Sequence, residues 1–274
     1  MTARVLVDGL AEDRVSVLDR GLAYGDGLFE TIRVVNGAAP LWDRHIARLR
    51  DGCGRLGLPV PDAAMLADEF AGVTDRMTDA VVKIILTRGR GERGYAPPRS
   101  IDATRIVAAF PAPPLPADWY RDGIRVRCCE LRLAAQPRLA GIKHLNRLEQ
   151  VLARAEWSDA DMVEGLLFDQ AGNLVSATAA NVFVGVDGGL LTPPTDRCGV
   201  AGVLRGALLD ALPDVQVRTM TKEGLMRADE VFLTSSVRGV LPVRAVDQHA
   251  FRVGRHARAA LAHWRALGFP GGEA

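Results

Sequence analysis

A side-chain primary amine is the scarcest reactive group in this sequence: only Lys83, Lys143 and Lys222 among 34 basic residues are lysines. Lys83 lies inside the run VVKIILT and reads as the one polar residue of a half-buried strand. Lys222 opens a short polar segment and reads as a solvated charge. Lys143 follows a Gly-Ile step and directly precedes an apolar-periodic run, so its amine is expected near the positive end of a helix. That placement, with partial burial, lowers an amine's pKa, and a neutral lysine can condense with the aldehyde of a cofactor such as pyridoxal phosphate. The plain alternative is a solvated lysine beside a helix.

A phosphate-bearing aldehyde cofactor also needs an anion cup. Arg48, one residue before Leu49 on an amphipathic run, can offer a forked donor. Gly202-Val203-Leu204 opens a helical pattern, whose first N–H groups lack intrahelical acceptors and attract anions. Thr234-Ser235-Ser236 ends a strand-like run with small hydroxyl residues, a nest for phosphate oxygens. Taken singly, an arginine on a helix is a surface charge and a Thr-Ser-Ser step is a turn.

These residues need elements to hold them. Alternation and turn residues predict a hairpin from 4–8 and 14–19, then a strand LFETIRVV ending at Asn36-Gly37, with AAPLW returning from the turn. Apolar residues at three- and four-residue steps (Ile46, Leu49, Cys53, Leu56) predict a helix capped by Asp43 and ended by Gly57 and Pro59. A second helix fits 62–71, and strands fit 80–89 and 103–110. PAPPLPAD (111–118) carries four prolines and reads as a linker. The expected organisation is therefore a small α/β domain over 1–112, a linker over 113–120 and a second domain over 121–274. In that second part GIRVRCCEL reads as a strand and 144–157 as a helix with Leu145, Leu148, Val151, Leu152 and Ala155 on one apolar face. A meander follows through EGLLFD, LVSA and NVFVGV, then the helix VLRGALLDAL, the strands EVFLTSS and VLPVRAVD, and a helix over about 256–267. The class is α+β.

Composition narrows the function. A net charge of +1 with 48% hydrophobic and 24% charged residues gives no electrostatic case for nucleic acid or a membrane surface as partner. The four cysteines, Cys53, Cys128, Cys129 and Cys198, form no CxxC pair and no Cys/His cluster with metal-ligand spacing. They read as reduced small hydrophobes. The N-terminal stretch lacks an apolar signal core and no run is long enough to span a bilayer, so a cytoplasmic location is expected.

The segments DRGLAYGDGLFETIRV, HIARLRDGCGRLGL, LTRGRGERGY, LAGIKHLNRLEQVLAR, GVLRGALL and ADEVFLTSSVRGVLPV together resemble the fold-type IV pyridoxal phosphate enzymes, the family of branched-chain and D-amino acid aminotransferases. The resemblance runs from Val5 to about Val246. LAGIKHLNRLEQVLAR and RGRGERGY look most like the lyase branch, which releases pyruvate from 4-amino-4-deoxychorismate to give 4-aminobenzoate for folate synthesis. The resemblance implies a two-domain α+β homodimer, with an N-terminal α/β sandwich and a C-terminal β-barrel-like domain carrying helices. It implies pyridoxal 5'-phosphate on Lys143, phosphate contacts from Arg48, Val203, Leu204, Ser235 and Ser236, and substrate contacts from Phe29, Glu30, Thr31 and Arg33. Arg93 and Tyr95 match positions that face the substrate carboxylate, often across a dimer interface, and Thr31 is expected to assist proton transfer.

One position departs from the family. Relatives carry a Glu five residues before the Asn of the Asn-[Leu/Ile/Val]-Phe step, where it keeps the pyridine nitrogen protonated; here the step is Asn181-Val182-Phe183 and the earlier residue is Ser176. A serine there can bond the nitrogen without a charge, which weakens the electron sink. That disfavours transamination and still permits loss of a good leaving group. Three readings stay open at this stage: a lyase, an aminotransferase of the same fold, and a cofactor-binding chain without catalysis.

Overall fold

The computed structural model describes residues 4–271. The chain divides into two compact units, one running up to Pro113 with Ile142–Asn146 added, the other comprising Pro114–Gly141 and the chain from Arg147.

The first unit contains β1 (Arg4–Val7), α1 (Arg20–Tyr24), β2 (Gly27–Val35), α2 (Trp42–Leu56), α3 (Ala63–Thr74), β3 (Asp79–Thr87) and β4 (Arg105–Pro111). Its sheet is antiparallel in the order β1-β4-β3-β2. Alternate residues of β2 and β3 (Leu28, Ile32, Val34, Val82, Ile84) are buried, as are Ile46, Leu49 and Cys53 of α2, which packs on β2. Full burial of each such aliphatic side chain contributes about 2 kcal/mol, the main stabilisation of this two-layer unit. Glu69 of α3 grips Arg105 of β4 through two hydrogen bonds of 2.6 Å.

Several expected elements take another form. Residues 14–19 make no strand; β1 pairs instead with β4, and Val17 is 82% exposed, so the alternation there has no sheet to bury it. Asn36 and Gly37 do turn the chain, at φ 50° and 76°, but AAPLW contributes only the bridge Val35–Ala38 before α2 begins. Asp43 lies inside the first turn of α2 and Leu41 occupies the cap position.

The second unit contains α4 (Ala117–Arg121), β5 (Ile124–Leu133), α5 (Leu148–Arg154), β6 (Met162–Asp169), β7 (Leu174–Ala177), β8 (Asn181–Val186), β9 (Gly189–Thr192), α6 (Val203–Ala211), β10 (Gln216–Val217), α7 (Lys222–Met226), β11 (Glu230–Ser235), β12 (Gly239–Val246), β13 (His249–Ala250) and α8 (Arg255–Ala266). The strands form one curled mixed sheet in the order β10-β9-β8-β11-β12-β5-β6-β7, with β13 on β12. Phe183 and Phe232 stack at 5.1 Å in its centre. Cys129, Leu133, Ala153, Trp157, Leu167 and Val175 form a buried cluster between α5 and the sheet. Glu230 accepts hydrogen bonds from the backbone of His256 and Ala257, so a strand carboxylate caps α8. Helix α4 starts within the proline-rich stretch expected as linker, with Pro116 at its cap.

The largest departure concerns the stretch read as a helix over 144–157. Only Leu148–Arg154 is helical, and Leu148, Val151 and Leu152 are 75%, 59% and 60% exposed. The preceding residues are extended because they pair with β2: Phe29 N–H donates to the Lys143 carbonyl (2.9 Å) and Leu145 N–H to the Gly27 carbonyl (3.0 Å). Gly27 also lets β3 pass close on its other side, since a Cβ there would lie 2.4 Å from the Leu86 carbonyl oxygen and 2.9 Å from Thr87 Cα. Gly27→Ala is therefore expected to destabilise the first unit by about 1–3 kcal/mol, read by thermal or denaturant unfolding. A variant as stable as the wild type would show that the pairing tolerates a side chain.

Candidate active site

The pleat of β2 sends successive side chains to opposite faces. Phe29, Thr31 and Arg33 share one face. Over the Phe29 ring lie two amines, Lys143 Nζ at 4.2 Å and Lys83 Nζ at 5.3 Å from its centroid. Thr31 is the direct rung partner of Lys83. Lys83 makes no ion pair with any carboxylate among the described residues. Arg33 is 3% exposed; its Nη2 donates to Asp79 at 2.9 Å, while Nε and Nη1 are buried with no hydrogen-bond partner among the described residues. Buried donors left unmatched are costly.

Glu30 turns to the other face, under α2, away from the residues it was grouped with by sequence. Its carboxylate accepts from Arg48 Nε (2.8 Å) and Nη2 (2.5 Å) and lies 2.6 Å from His45 Nδ1. Burial alone would push the Glu30 carboxyl up, but Arg48 and His45 outweigh it and hold the group at about 2. Burial pulls His45 down, with Glu30 opposing, and its Nε2 is enclosed without a partner. Arg48 is thus a buried cation fixed in orientation by a buried anion.

Arg93 and Tyr95 lie on the loop after β3 with exposed side chains, Tyr95 at 86%. They extend outward from their own unit.

In the second unit Ser176 is buried on β7, opposite Leu167 of β6. A buried carboxylate does occur on β6, at Glu164, but Arg238, the Thr178 hydroxyl and the Gly165 N–H already engage it. Val203 and Leu204 open α6, a nine-residue helix whose cap position, Gly202, provides no side chain. Asn181 holds this start in place, accepting from Gly202 N–H (3.1 Å) and donating to the Val200 carbonyl (2.8 Å). A Cβ on Gly202 would sit 2.0 Å from the Asn181 oxygen, so glycine is required there. Helix α6 packs on β11, where the Thr234 hydroxyl is buried without a hydrogen-bond partner among the described residues and Ser235 Oγ accepts from Arg238 N–H (3.1 Å).

These donors fit pyridoxal phosphate in kind: an amine for the aldehyde, a guanidinium and an uncapped helix start for the phosphate, and an unmatched hydroxyl beside the two serines. Sequence reasoning missed Lys83, whose place in an alternating run hid the amine it shares with Lys143, and Asn181, which it used only to locate Ser176. The single signal for Lys83 was the scarcity of lysine.

Comparison with known proteins bears on these residues. The family model for amino-transferase class IV matches residues 27–246. The chain is 35% identical over 245 residues to the aminodeoxychorismate lyase of Vibrio harveyi, covering 88% of this chain and 90% of that one. It resembles the crystal structure of 4-amino-4-deoxychorismate lyase from Pseudomonas aeruginosa with a TM-score of 0.91 and 46% identity, covering 96% and 98% of the two chains. It is also 28% identical over 248 residues to the branched-chain-amino-acid aminotransferase of Escherichia coli strain K12, covering 85% and 80%.

The Glu30 carboxyl titrates below its ordinary value of 4.5, so its contribution is present in full above that value and is lost as pH falls toward about 2. Between about pH 5 and about pH 2 the wild type is expected to lose about 3 kcal/mol more stability than Glu30→Gln, which starts lower and varies less. Parallel pH profiles from denaturant unfolding would contradict the buried pair.

Proposed function

The chain belongs to the class IV amino-transferase family, whose members are pyridoxal phosphate enzymes, and we propose that it is the lyase that converts 4-amino-4-deoxychorismate to 4-aminobenzoate and pyruvate in folate biosynthesis. The observation that carries this reading is the cationic face of β2 and β3: Lys143 and Lys83 share the Phe29 ring, and Arg33, with two unmatched donors among the described residues, lies further along the same face of β2. A substrate with two carboxylates satisfies such a face; a branched-chain amino acid has only one. The likeness to the two lyases supports it.

When bound, pyridoxal phosphate supplies the aldehyde that captures the substrate amine and a ring that accepts electrons. Lys143 carries it; Arg48, the first N–H groups of α6 at Val203 and Leu204, and Ser235 and Ser236 hold its phosphate. The Lys143 amine takes the proton from C4 of the substrate ring. The C4–H electrons become the new ring double bond as the C3–O bond breaks, so the ring aromatises and the enol leaves as pyruvate. Thr31, on the same face as Lys143, helps deliver a proton to the departing oxygen. Phe29 packs against the substrate ring, and Arg33 and Lys83 bind a carboxylate.

Ser176 offers the pyridine nitrogen a neutral hydroxyl where relatives offer a carboxylate, which favours expulsion of a leaving group over amino transfer. Arg93 and Tyr95 serve the site of a second copy in a homodimer, a role their outward exposure suits. The exposed Leu148, Val151 and Leu152 of α5 suit burial in that interface. Four free cysteines suit a cytoplasmic location.

The test is formation of 4-aminobenzoate by the purified holoprotein from chorismate and its amidating enzyme. Lys143→Ala is expected to lower turnover by about 10³-fold or more. Retained turnover would remove Lys143 from the chemistry. The E. coli aminotransferase relative keeps amino transfer as the second reading; supplying an amino donor with an α-keto acid separates the two. Ser176→Glu is expected to raise transfer relative to elimination, and an unchanged product ratio would contradict the role given to Ser176.

A further inference from the structure

Arg20 is an arginine almost wholly buried, at 4% exposed, in a short helix to which no role is assigned above. Its guanidinium spends its donors on a loop. Nε donates to Asp26 Oδ2 (2.9 Å), Nη1 to the carbonyls of Gly94 (2.9 Å) and Ala96 (3.4 Å), and Nη2 to the carbonyl of Tyr95 (3.0 Å). Three consecutive carbonyls therefore converge on one cation.

The same loop is held at two further points. Arg20 lies over the Tyr24 ring, 4.9 Å from its centroid, and that ring packs against Tyr95 at 5.4 Å. The Tyr24 hydroxyl accepts from Gly94 N–H at 3.1 Å, where the chain takes φ 111°, a left-handed conformation that favours glycine. Upstream, Arg20 N–H donates to the Gly89 carbonyl and Gly91 N–H to the Leu18 carbonyl. Asp26 stays charged to complete the clamp: burial pushes its carboxyl up, but Arg88 and Arg20 together bring it below the usual range.

We infer that Arg20 is a positioning residue that presets the loop backbone so that Arg93 and Tyr95 stand outward in a fixed conformation before any ligand arrives. The inference rests on the reading that these two side chains bind substrate carboxylate in a second copy. A Gly-rich loop left free would lose its conformational entropy on binding, weakening substrate capture. With the carbonyls of 94–96 fixed from beneath, that loss is taken at folding. The consequence falls on KM, because the chemistry at Lys143 does not involve the loop.

Arg20→Lys keeps the charge but cannot fork to three carbonyls. In the purified holoprotein, hydrogen exchange at the amides of residues 92–96 is expected to speed up while β2 and β3 stay protected. KM is expected to rise about tenfold with kcat within about twofold and the cofactor absorbance unchanged. Tyr24→Phe removes only the Gly94 acceptor and is expected to act in the same direction by about threefold, which keeps the test available should Arg20→Lys fail to fold. Folded variants with wild-type loop protection and wild-type KM would overturn the inference. Arg93→Ala separates it from the reading beneath it. An unchanged KM in Arg93→Ala refutes the carboxylate role and with it the inference, whereas a raised KM there with none in Arg20→Lys refutes the positioning role alone.

Discussion

The hydrogen bond from Phe29 N–H to the Lys143 carbonyl joins a strand near the start of the chain to a five-residue segment more than a hundred positions later. With its companion at Gly27 it fixes the backbone of Lys143 against β2, and the side chain places its Nζ over the Phe29 ring. A flexible four-carbon stem on a loop would carry its amine over several ångströms. Anchored at its own peptide, it becomes a reactive group with a defined address. Gly27 leaves room for β3 beside the same strand, and α2 packs on β2.

The pleat of β2 divides the labour around this anchor. On one face stand a ring, a hydroxyl, a guanidinium and two amines from neighbouring elements. On the other face, one residue away, Glu30 neutralises Arg48 inside the protein. Removing either partner would leave a buried charge uncompensated at a cost of about 3–5 kcal/mol. The second unit follows the same division: Glu164 is engaged by Arg238 and Thr178, while the start of α6 has no side-chain cap and the Thr234 hydroxyl has no hydrogen-bond partner among the described residues.

Elements whose burial is decided locally were legible in the sequence. Helix α2 showed its spacing of Ile46, Leu49 and Cys53, α6 and α8 their apolar periods, and β11 and β12 their uninterrupted apolar runs. What sequence could not show was which partner a segment would find. Residues 14–19 alternate like a strand, but β4 takes the edge of β1. Residues 144–147 belong to a run with a helical pattern, but the pairing of this stretch with β2 outweighs the propensity of a few residues, and the helix shrinks to one short stretch with an exposed apolar side. Among candidate site residues, the scarcity of lysine singled out Lys143 as a candidate, and residue type singled out Arg48 and the α6 start. The facing of Glu30 depended on strand register, and Lys83 and Arg20 on contacts between elements that no local pattern encodes.

The account stands on one of three amines being the attachment point. Borohydride reduction of the protein saturated with pyridoxal phosphate, followed by digestion and mass spectrometry, reads this directly. The expected result is a single phosphopyridoxyl group on Lys143, with Lys83 and Lys222 unmodified; a label on Lys83, or no label at all, would contradict it.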